Sequence, residues 1–322
     1  MASGHRPVLY QEILEAITPR PGGRYVDGTL GGGGHAWGIL QASSPDGLLL
    51  GLDLDPQAIA LATQRLIEFG ERALIRQASY TSLAEQIAGL DWPGVDGILL
   101  DLGVSSMQLD TPERGFTVQV EAPLDMRFDP SNPLRAADLV NRLPESELAD
   151  LIYRYGEEPS SRRIARAIVA ARPVETTSQL AQVVLGAVGS KRRGRSAQGS
   201  KGAREKSSIH PATRTFQALR IAVNDELGGL ERTLPEAVAV LAPGGRLAVI
   251  SFHSLEDRIV KQYFRRESTD CLCPPRQPVC TCGHRATIIE IIHRPIQPGA
   301  SEVTENPRSR SARLRVAEKI SL

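Results

Sequence analysis

The sequence predicts an α/β protein whose mostly parallel sheet comes from two separate stretches of chain, with an all-helical domain inserted between them. Short apolar runs alternate with helical patterns over the first hundred residues, which is typical of parallel strands joined by right-handed crossovers. From Gln108 to about Val188, apolar residues recur at helical spacing instead. The α/β pattern resumes near Pro211. We therefore expect an α/β domain in two parts, 1–108 and 209–322, around a helical insertion at 109–208.

The first part is predicted to alternate strands with helices. The second and fourth apolar runs are nearly continuous, as expected of strands buried on both faces of a parallel sheet. Pro56 lies at the start of its helix, where its missing N–H group costs no hydrogen bond. The predicted strands are 24–27, 48–54, 73–80 and 95–102, and the helices are 35–41, 56–69 and 81–88.

The inserted domain is predicted from apolar residues that recur at helical spacing. They form two stripes, Leu148, Leu151, Ile152 and Tyr155, and Ile164, Ile168 and Val169. A stretch rich in Gly, Ser, Lys and Arg follows at 190–206 and predicts a flexible loop.

The second part of the α/β domain begins with another apolar helix stripe, formed by Phe216, Leu219, Val223 and Leu227. Pro243-Gly244-Gly245 then predicts a turn. Further along, the pattern predicts strands at 246–252, 286–292 and 313–320 and a helix at 254–266.

Composition restricts the class of protein. The chain has 322 residues, of which 41% are apolar and 23% charged, the mix of a globular protein. It has no apolar run of the roughly 18 residues that span a bilayer and no apolar segment behind the N-terminus. We therefore expect a cytoplasmic protein without membrane contact. The net charge of +1 means that a nucleic-acid partner would be held by local basic patches.

A glycine-rich turn follows the first predicted strand. The segment from Gly28 to His35 contains Gly31-x-Gly33-x-x-Ala36, a match to the dinucleotide-binding fingerprint. Glycines at such a turn allow backbone N–H groups to approach a ligand closely. The alternative is a tight strand-to-helix turn without a ligand.

The ends of the next three predicted strands carry Asp53, Tyr80 and Asp101. Asp53 lies about 20 residues beyond the glycine turn, where a carboxylate can bind ribose hydroxyls, whereas Asp55 is placed to cap the next helix. Tyr80 suits an adenine ring, and Asp101 suits a cationic or reacting amine. Because ligands bind beyond the carboxyl ends of parallel strands, these residues predict an adenosine site. The pattern is compatible with either NAD or S-adenosylmethionine.

Longer motifs resemble the bacterial 16S ribosomal RNA cytosine-N4 methyltransferase family over nearly the whole chain. Near the N-terminus they are His5-x-Pro7-Val8-Leu9, Asp27-Gly28-Thr29 and Gly33-Gly34-His35. In the middle they are Asp101-Leu102-Gly103-Val104-Ser105-Ser106, Gln108-Leu109-Asp110, Glu113-Arg114-Gly115-Phe116 and Pro123-Leu124-Asp125-Met126-Arg127. Towards the C-terminus they are the segment from His210 to Gln217, the segment from Ser251 to Arg258, and Glu305-Asn306-Pro307-Arg308.

The resemblance implies a class I S-adenosylmethionine-dependent methyltransferase, Rossmann-like, with an inserted helical domain. It implies methylation of a cytidine at the decoding centre of the small ribosomal subunit, with 16S rRNA as partner. The cofactor contacts that it implies are Gly33, Gly34, His35, Asp53, Tyr80, Asp101 and Gln108. Position 80 departs from members with Phe, although either ring can stack.

Methylation of cytosine N4 needs a group that accepts a hydrogen from a poorly nucleophilic amine. Many exocyclic-amine methyltransferases carry an acidic, Asn or Ser residue followed by Pro-Pro-aromatic after the fourth strand, but here Asp101-Leu102-Gly103-Val104 stands there. Asp101 is our preferred acceptor, with Asp125 and His253 as alternatives. For His253 the alternative role is a histidine satisfied in a strand-to-helix turn. Ser254 is predicted to cap the following helix, with Asp257 at the capping-box spacing.

Three regions are candidates for contact with RNA. The loop at 190–206 carries seven basic residues against one acid, and such side chains suit phosphate groups. A polar helix stripe is formed by Thr213, Gln217, Arg220 and Asn224, and it would line a substrate cleft or simply face solvent. A C-terminal basic region consists of Arg308, Arg310, Arg313 and Arg315, the last two sharing one face if they lie on a strand.

All four cysteines lie within one short stretch, at Cys271, Cys273, Cys280 and Cys282. Four thiolates suffice for a closed structural zinc site, and free thiols in a proline-rich loop are the alternative. For the whole chain, the alternatives to a methyltransferase are an NAD-dependent oxidoreductase and a ribosome assembly factor without turnover. Naked rRNA and the assembled subunit both remain open as substrates.

Overall fold

The computed structural model of the protein describes residues 7–189, 210–275 and 277–321. The chain forms two compact units, one made of 1–103 together with 227–322 and the other of 104–226. We call the first the α/β unit and the second the helical unit. Within the described ranges, no helix is both long and apolar enough to cross a membrane.

A seven-stranded sheet forms the centre of the α/β unit. Its strands are β1 (Arg24–Asp27), β2 (Leu48–Asp53), β3 (Ala73–Gln77), β4 (Val95–Asp101), β5 (Leu241–Ser251), β6 (Ile288–Glu290) and β7 (Arg313–Lys319). They lie in the order β3-β2-β1-β4-β5-β7-β6. The first five strands pair in parallel, and β7 runs antiparallel to both β5 and β6. The predicted Rossmann-like, mostly parallel sheet is confirmed.

The described helices are α1 (Tyr10–Ile17), α2 (Gly34–Ala42), α3 (Pro56–Arg65), α4 (Leu83–Ala88), α5 (Ser106–Asp110), α6 (Ala136–Arg142), α7 (Glu145–Gly156), α8 (Ser161–Ala170), α9 (Thr177–Gly189), α10 (Thr213–Asn224), α11 (Glu226–Val240), α12 (Ser254–Glu267) and α13 (Ala300–Glu305). Those of the α/β unit cover both faces of the sheet, because alternate residues of a strand point to opposite sides. Leu49 and Leu99 pack in a cluster with residues of α1, α2 and α3. Their neighbours Leu50 and Leu100 pack in a second cluster with α4, α11 and α12.

The strand order reverses between β1 and β4, because the chain leaves β1 towards β3 and returns to β4 on the other side. The carboxyl ends of the two strands at such a switch point form the ligand crevice of open α/β sheets. Here hydrogen bonds join the carboxyl ends of β1 and β4. The Gly28 N–H donates to the Leu99 carbonyl at 2.9 Å, and the Asp101 N–H donates to Thr29 Oγ1 at 2.6 Å.

Two local features differ from the predicted elements. β3 ends at Gln77, and Tyr80 begins a 3-10 turn, because the Ser79 hydroxyl caps that turn by accepting from the Thr81 N–H. The predicted turn at Pro243 lies inside β5, where pairing with β4 jumps from Leu241 to Arg246. The intervening residues therefore bulge out of the ladder.

The helical unit has its own apolar core. Leu148 and Ile152 of α7 and Ile164 and Ile168 of α8 are fully buried in it. The predicted helix stripes are therefore confirmed at these positions.

The helical unit extends further along the chain than the predicted insertion at 109–208. The helix α10 belongs to it, because Phe216, Leu219 and Val223 lie in the same apolar cluster as Leu148. The unit thus runs from residue 104 to 226. The predicted basic loop at 190–206 lies outside the described residues.

Candidate functional site

The glycine turn between β1 and α2 is shaped by backbone conformations that favour glycine. Gly31 and Gly33 both have positive φ, at 50° and 73°. A Cβ at Gly33 would lie only 3.3 Å from Ala62, so this glycine also allows close packing on α3. A Cβ at Gly32 would meet nothing within 4 Å. The turn therefore presents open backbone on one side and packs tightly on the other.

Asp53 connects the end of β2 to this turn. Its Oδ2 accepts from the Gly31 N–H and its Oδ1 from the Asp55 N–H, both at 2.8 Å. Burial raises the pKa of the Asp53 carboxyl, although the backbone donors partly offset this. Asp55 caps α3 by accepting from the Gln57 N–H at 3.0 Å, which confirms its predicted role.

An acidic cluster lies at the switch point. Asp101 ends β4, and its pKa is raised to about 8 by burial and by the carboxylates of Asp27 and Glu256. Asp27 ends β1, and burial raises its pKa to about 7, with Asp53 adding to the effect. Among the described residues no lysine or arginine pairs with Asp27 or Asp101, and Asp101 Oδ1 is buried without a hydrogen-bond partner. Among the described residues of the α/β unit, no basic side chain therefore stabilises the ionised forms of these two carboxyls, and both hold their protons more tightly than an ordinary aspartate.

His35, the first side chain of α2, faces this cluster. It is 6% exposed, and neither ring nitrogen has a hydrogen-bond partner. Its Nε2 lies 3.7 Å from Asp101 Oδ2. Burial lowers the pKa of the imidazole to about 4, so the contact is not an ion pair at neutral pH. The Tyr10 ring stacks on the His35 ring at 6.1 Å between centroids.

Tyr80 lies against two glycines at the same end of the sheet. A Cβ at Gly28 would be 3.0 Å from the Tyr80 Cβ, and a Cβ at Gly229 would be 3.4 Å from its hydroxyl. The ring also packs against the apolar cluster that contains Leu100. The absence of side chains at positions 28 and 229 therefore makes room for the Tyr80 Cβ and for its hydroxyl, respectively.

Two residues with implied cofactor contacts also have a local structural role. A Cβ at Gly34 would lie 2.5 Å from Pro7 Cγ, so glycine is required there by packing of the N-terminal segment. Gln108 belongs to the helical unit, where it is buried and completes a capping box with Ser105 at the start of α5. The structure thus brings Gly33, Gly34, His35, Asp53, Tyr80 and Asp101 together in the α/β unit. For Gln108 the implied contact stays a prediction.

His253, rather than Ser254, caps α12. Its Nδ1 accepts from the Glu256 N–H at 3.4 Å, and Glu256 Oε2 accepts from the His253 N–H at 3.3 Å. The prediction that Ser254 caps this helix is therefore wrong, because the imidazole supplies the acceptor one residue earlier. His253 Nε2 lies 3.1 Å from Glu256 Oε1.

The predicted partner of Ser254, Asp257, instead binds two arginines of β7. Its oxygens accept from Arg315 Nε at 2.7 Å and from Arg313 at 2.9 Å. Burial raises the pKa of the Asp257 carboxyl, but the two guanidinium groups outweigh it, and the pKa is lowered. Arg313 and Arg315 share a strand face as predicted. Since Arg315 is 5% exposed, it is not part of a basic RNA-binding surface.

Asp125 of the helical unit is a poor proton acceptor. Arg127 donates to both of its oxygens, at 2.8 and 2.7 Å. Burial alone would raise the pKa of this carboxyl, but the Arg127 hydrogen bonds outweigh it, and the pKa is lowered.

The polar stripe of α10 is largely used inside the helical unit. Gln217 donates to the Tyr155 carbonyl at 3.0 Å, and Arg220 pairs with Glu226 at 2.8 Å. Asn224 accepts from the Phe128 N–H at 2.7 Å. These contacts favour a structural role over the predicted alternative that the stripe lines a substrate cleft.

Sequence reasoning missed three members of the site, namely Asp27, Thr29 and Glu256. Asp27 carried a usable signal, because it ends β1 as Asp101 ends β4. The sequence around Glu256 contains no such signal, because Glu256 lies close to Asp101 only through the pairing of β5 with β4.

The chain is similar to known proteins over nearly its full length. Residues 2–320 match the model of the MraW methylase family. A protein of Geobacter sulfurreducens named ribosomal RNA small subunit methyltransferase H is 54% identical over 323 residues, covering 99% of this chain and 100% of its own. Proteins of the same name from Dehalococcoides mccartyi and Thermomicrobium roseum are 53% and 51% identical, covering 98% and 100% of this chain and 86% and 95% of their own.

Proposed function

Because the chain belongs to the MraW methylase family, we propose that it transfers a methyl group from S-adenosylmethionine to the N4 amine of a cytidine in small-subunit ribosomal RNA. The observation that carries the proposal is the acidic cluster of Asp27 and Asp101 at the switch point of the sheet. It lies where α/β folds bind their ligands, and two carboxyls without a basic partner among the described residues suit a cationic ligand, which would stabilise their ionised forms.

The residues at this edge fit the cofactor. The open backbone at Gly32 allows an adenosine to approach the turn, and Asp53 lies where a carboxylate binds a ribose. S-adenosylmethionine carries an ammonium and a sulfonium group, and when bound it supplies an electrophilic methyl. These two positive charges complement the carboxyls of Asp27 and Asp101. The pKa values of both carboxyls are raised in the free protein, where no lysine or arginine of the described residues pairs with them. NAD offers no comparable pair of cations, and the family match also disfavours an oxidoreductase.

Asp101 is the group that we assign to the reacting amine. Its Oδ1 is buried and lacks a hydrogen-bond partner, so it is available to accept a hydrogen from N4. The pKa of this carboxyl is about 8 in the free protein, and the cationic cofactor would favour the ionised form, which is the form that accepts a hydrogen. The Thr29 hydroxyl accepts from the Asp101 N–H, and the neutral His35 ring lies beside the carboxyl, with Nε2 3.7 Å from Asp101 Oδ2. Asp125 is less suited, because Arg127 stabilises its ionised form.

The substrate assignment rests on the relatives, whose name places them on the RNA of the small ribosomal subunit. We extend that partner, and a cytoplasmic location, to this chain. The N4 position and the decoding-centre cytidine come from the sequence motifs that resemble the cytosine-N4 family.

The test is a methyl-transfer assay with labelled S-adenosylmethionine on small subunits and on naked 16S rRNA, both lacking the modification. Nucleoside analysis should place the label in N4-methylcytidine on one of the two substrates. Label in another nucleoside would overturn the N4 assignment. Cofactor binding without label on either substrate would favour an assembly factor without turnover.

A further inference from the structure

The segment between α12 and β6 contains all four cysteines and has almost no apolar core of its own. None of the described residues at 268–287 is buried, and Leu272 and Val279 are 44% and 70% exposed. Loops of more than about 12–15 residues without secondary structure are uncommon in compact domains. An interaction other than apolar packing must therefore stabilise the conformation of this segment.

The four sulfurs nevertheless converge on one point. Cys271 Sγ lies 3.5 Å from Cys280 Sγ and 3.9 Å from Cys282 Sγ, and the last two are 3.6 Å apart. One ligand atom from each of the four cysteines lies within 4.8 Å of every other. A tetrahedral zinc ion with bonds of about 2.3 Å requires sulfurs about 3.8 Å apart. The three separations among Cys271, Cys280 and Cys282 match such an ion, and Cys273 Sγ lies within 4.8 Å of the other three sulfurs, as a fourth ligand requires.

Backbone donors point at the same sulfurs. The Leu272 N–H donates to Cys282 Sγ at 3.3 Å, and the Cys273 N–H to Cys271 Sγ at 3.4 Å. The Thr281 N–H donates to Cys273 Sγ at 3.4 Å. Such hydrogen bonds stabilise thiolates that bind a metal and orient them.

We propose that Cys271, Cys273, Cys280 and Cys282 bind one zinc ion as a structural site. Four thiolates fill a tetrahedral ion, so the site has no open position for a substrate or a water molecule. The ion would replace the missing apolar core of the segment and hold its two halves together. The ends are already joined, since the Thr287 N–H donates to the Glu267 carbonyl at 2.8 Å. The site is separate from the proposed cofactor residues, so either proposal can fail without the other.

Metal analysis of the full-length protein, expressed with zinc and purified under reducing conditions, tests this directly. We expect about one zinc ion per chain in the wild type. Cys280→Ser should lose the zinc, and the matched control Val279→Ala, an exposed neighbour with all four thiols intact, should retain it. Circular dichroism checks that each variant is folded.

A second measurement needs no variant. Three of the four cysteines are exposed and Cys273 is half-buried, so a thiol-reactive dye should modify them slowly while zinc is bound and rapidly after a strong chelator removes it. Limited proteolysis should show the segment at 268–287 becoming sensitive to cleavage after chelation. Zinc-free protein with four reactive thiols, two disulfides in the reduced preparation, or stoichiometric iron in place of zinc would each overturn the proposal.

Discussion

Titration of Asp101 should make cofactor binding depend on pH. The pKa of this carboxyl is raised to about 8 in the free protein, so at pH 6 it carries a proton. A cationic cofactor favours the ionised form, and binding must then release that proton. If one carboxyl with a pKa of about 8 must lose its proton for binding, the Kd is about fifty-fold higher at pH 6 than at pH 8, which corresponds to about 2.3 kcal/mol of binding free energy. Asp27, with a pKa of about 7, would steepen the dependence below neutral pH.

The assay is isothermal titration of S-adenosylmethionine between pH 6 and pH 8, repeated in buffers with different ionisation enthalpies to count released protons. Asp101→Asn is the comparison, because the ammonium group of the ligand titrates equally against both proteins. The wild-type Kd should fall with rising pH more steeply than that of Asp101→Asn. Parallel pH profiles for the two proteins would refute the reasoning.

The same raised pKa values predict a pH-dependent stability. A carboxyl with a pKa near 4 when unfolded and about 8 when folded binds its proton more tightly in the folded state. Its contribution is therefore complete at pH 4 and is lost as the pH rises to about 8. Asp101→Asn should lower the dependence of the melting temperature on pH over this range, measured by calorimetry without cofactor. If the melting temperature of Asp101→Asn depended on pH as strongly as that of the wild type, the raised pKa of Asp101 would be contradicted.

Two further substitutions test the packing around the site. Gly28→Ala places a Cβ 2.7 Å from Leu100 Cδ2 and 3.0 Å from the Tyr80 Cβ, so we expect a lower melting temperature and weaker cofactor binding; unchanged melting and binding would argue against this close packing after β1. Arg315→Met removes a buried partner of Asp257 and should cost about 3 kcal/mol in urea unfolding, whereas Arg313→Met, which is more exposed, should cost clearly less. Equal costs would show that the Arg315 pair is not buried.

Much of the sheet could be predicted because its strands are local signals. Continuous apolar runs such as 48–54 identify buried parallel strands, and chain order then places their carboxyl ends at one edge. Asp53 and Asp101 could therefore be assigned to that edge from sequence alone.

Features that depend on distant pairing could not be predicted. Arg315 looked like a surface cation, but it is buried because Asp257 of α12 binds it across 58 positions of sequence. The C-terminal boundary of the helical unit was predicted at residue 208, whereas the unit extends to residue 226. The apolar stripe of α10 does not indicate which of the two cores the helix packs against. For His253 the structure favours the alternative role, a histidine satisfied in the strand-to-helix turn; that its ring caps α12 was not predicted, because Ser is the commoner N-cap residue.

The most direct test of the account is the single-turnover rate of methyl transfer to small-subunit rRNA at saturating cofactor. Asp101→Asn should slow the transfer by about a hundredfold or more, since removal of a positioned proton acceptor typically has this effect. Asp96→Asn is the matched control on β4, where Asp96 pairs with Arg20, and it should leave the rate unchanged. A wild-type rate for Asp101→Asn would contradict the central claim that this carboxyl acts on the reacting amine.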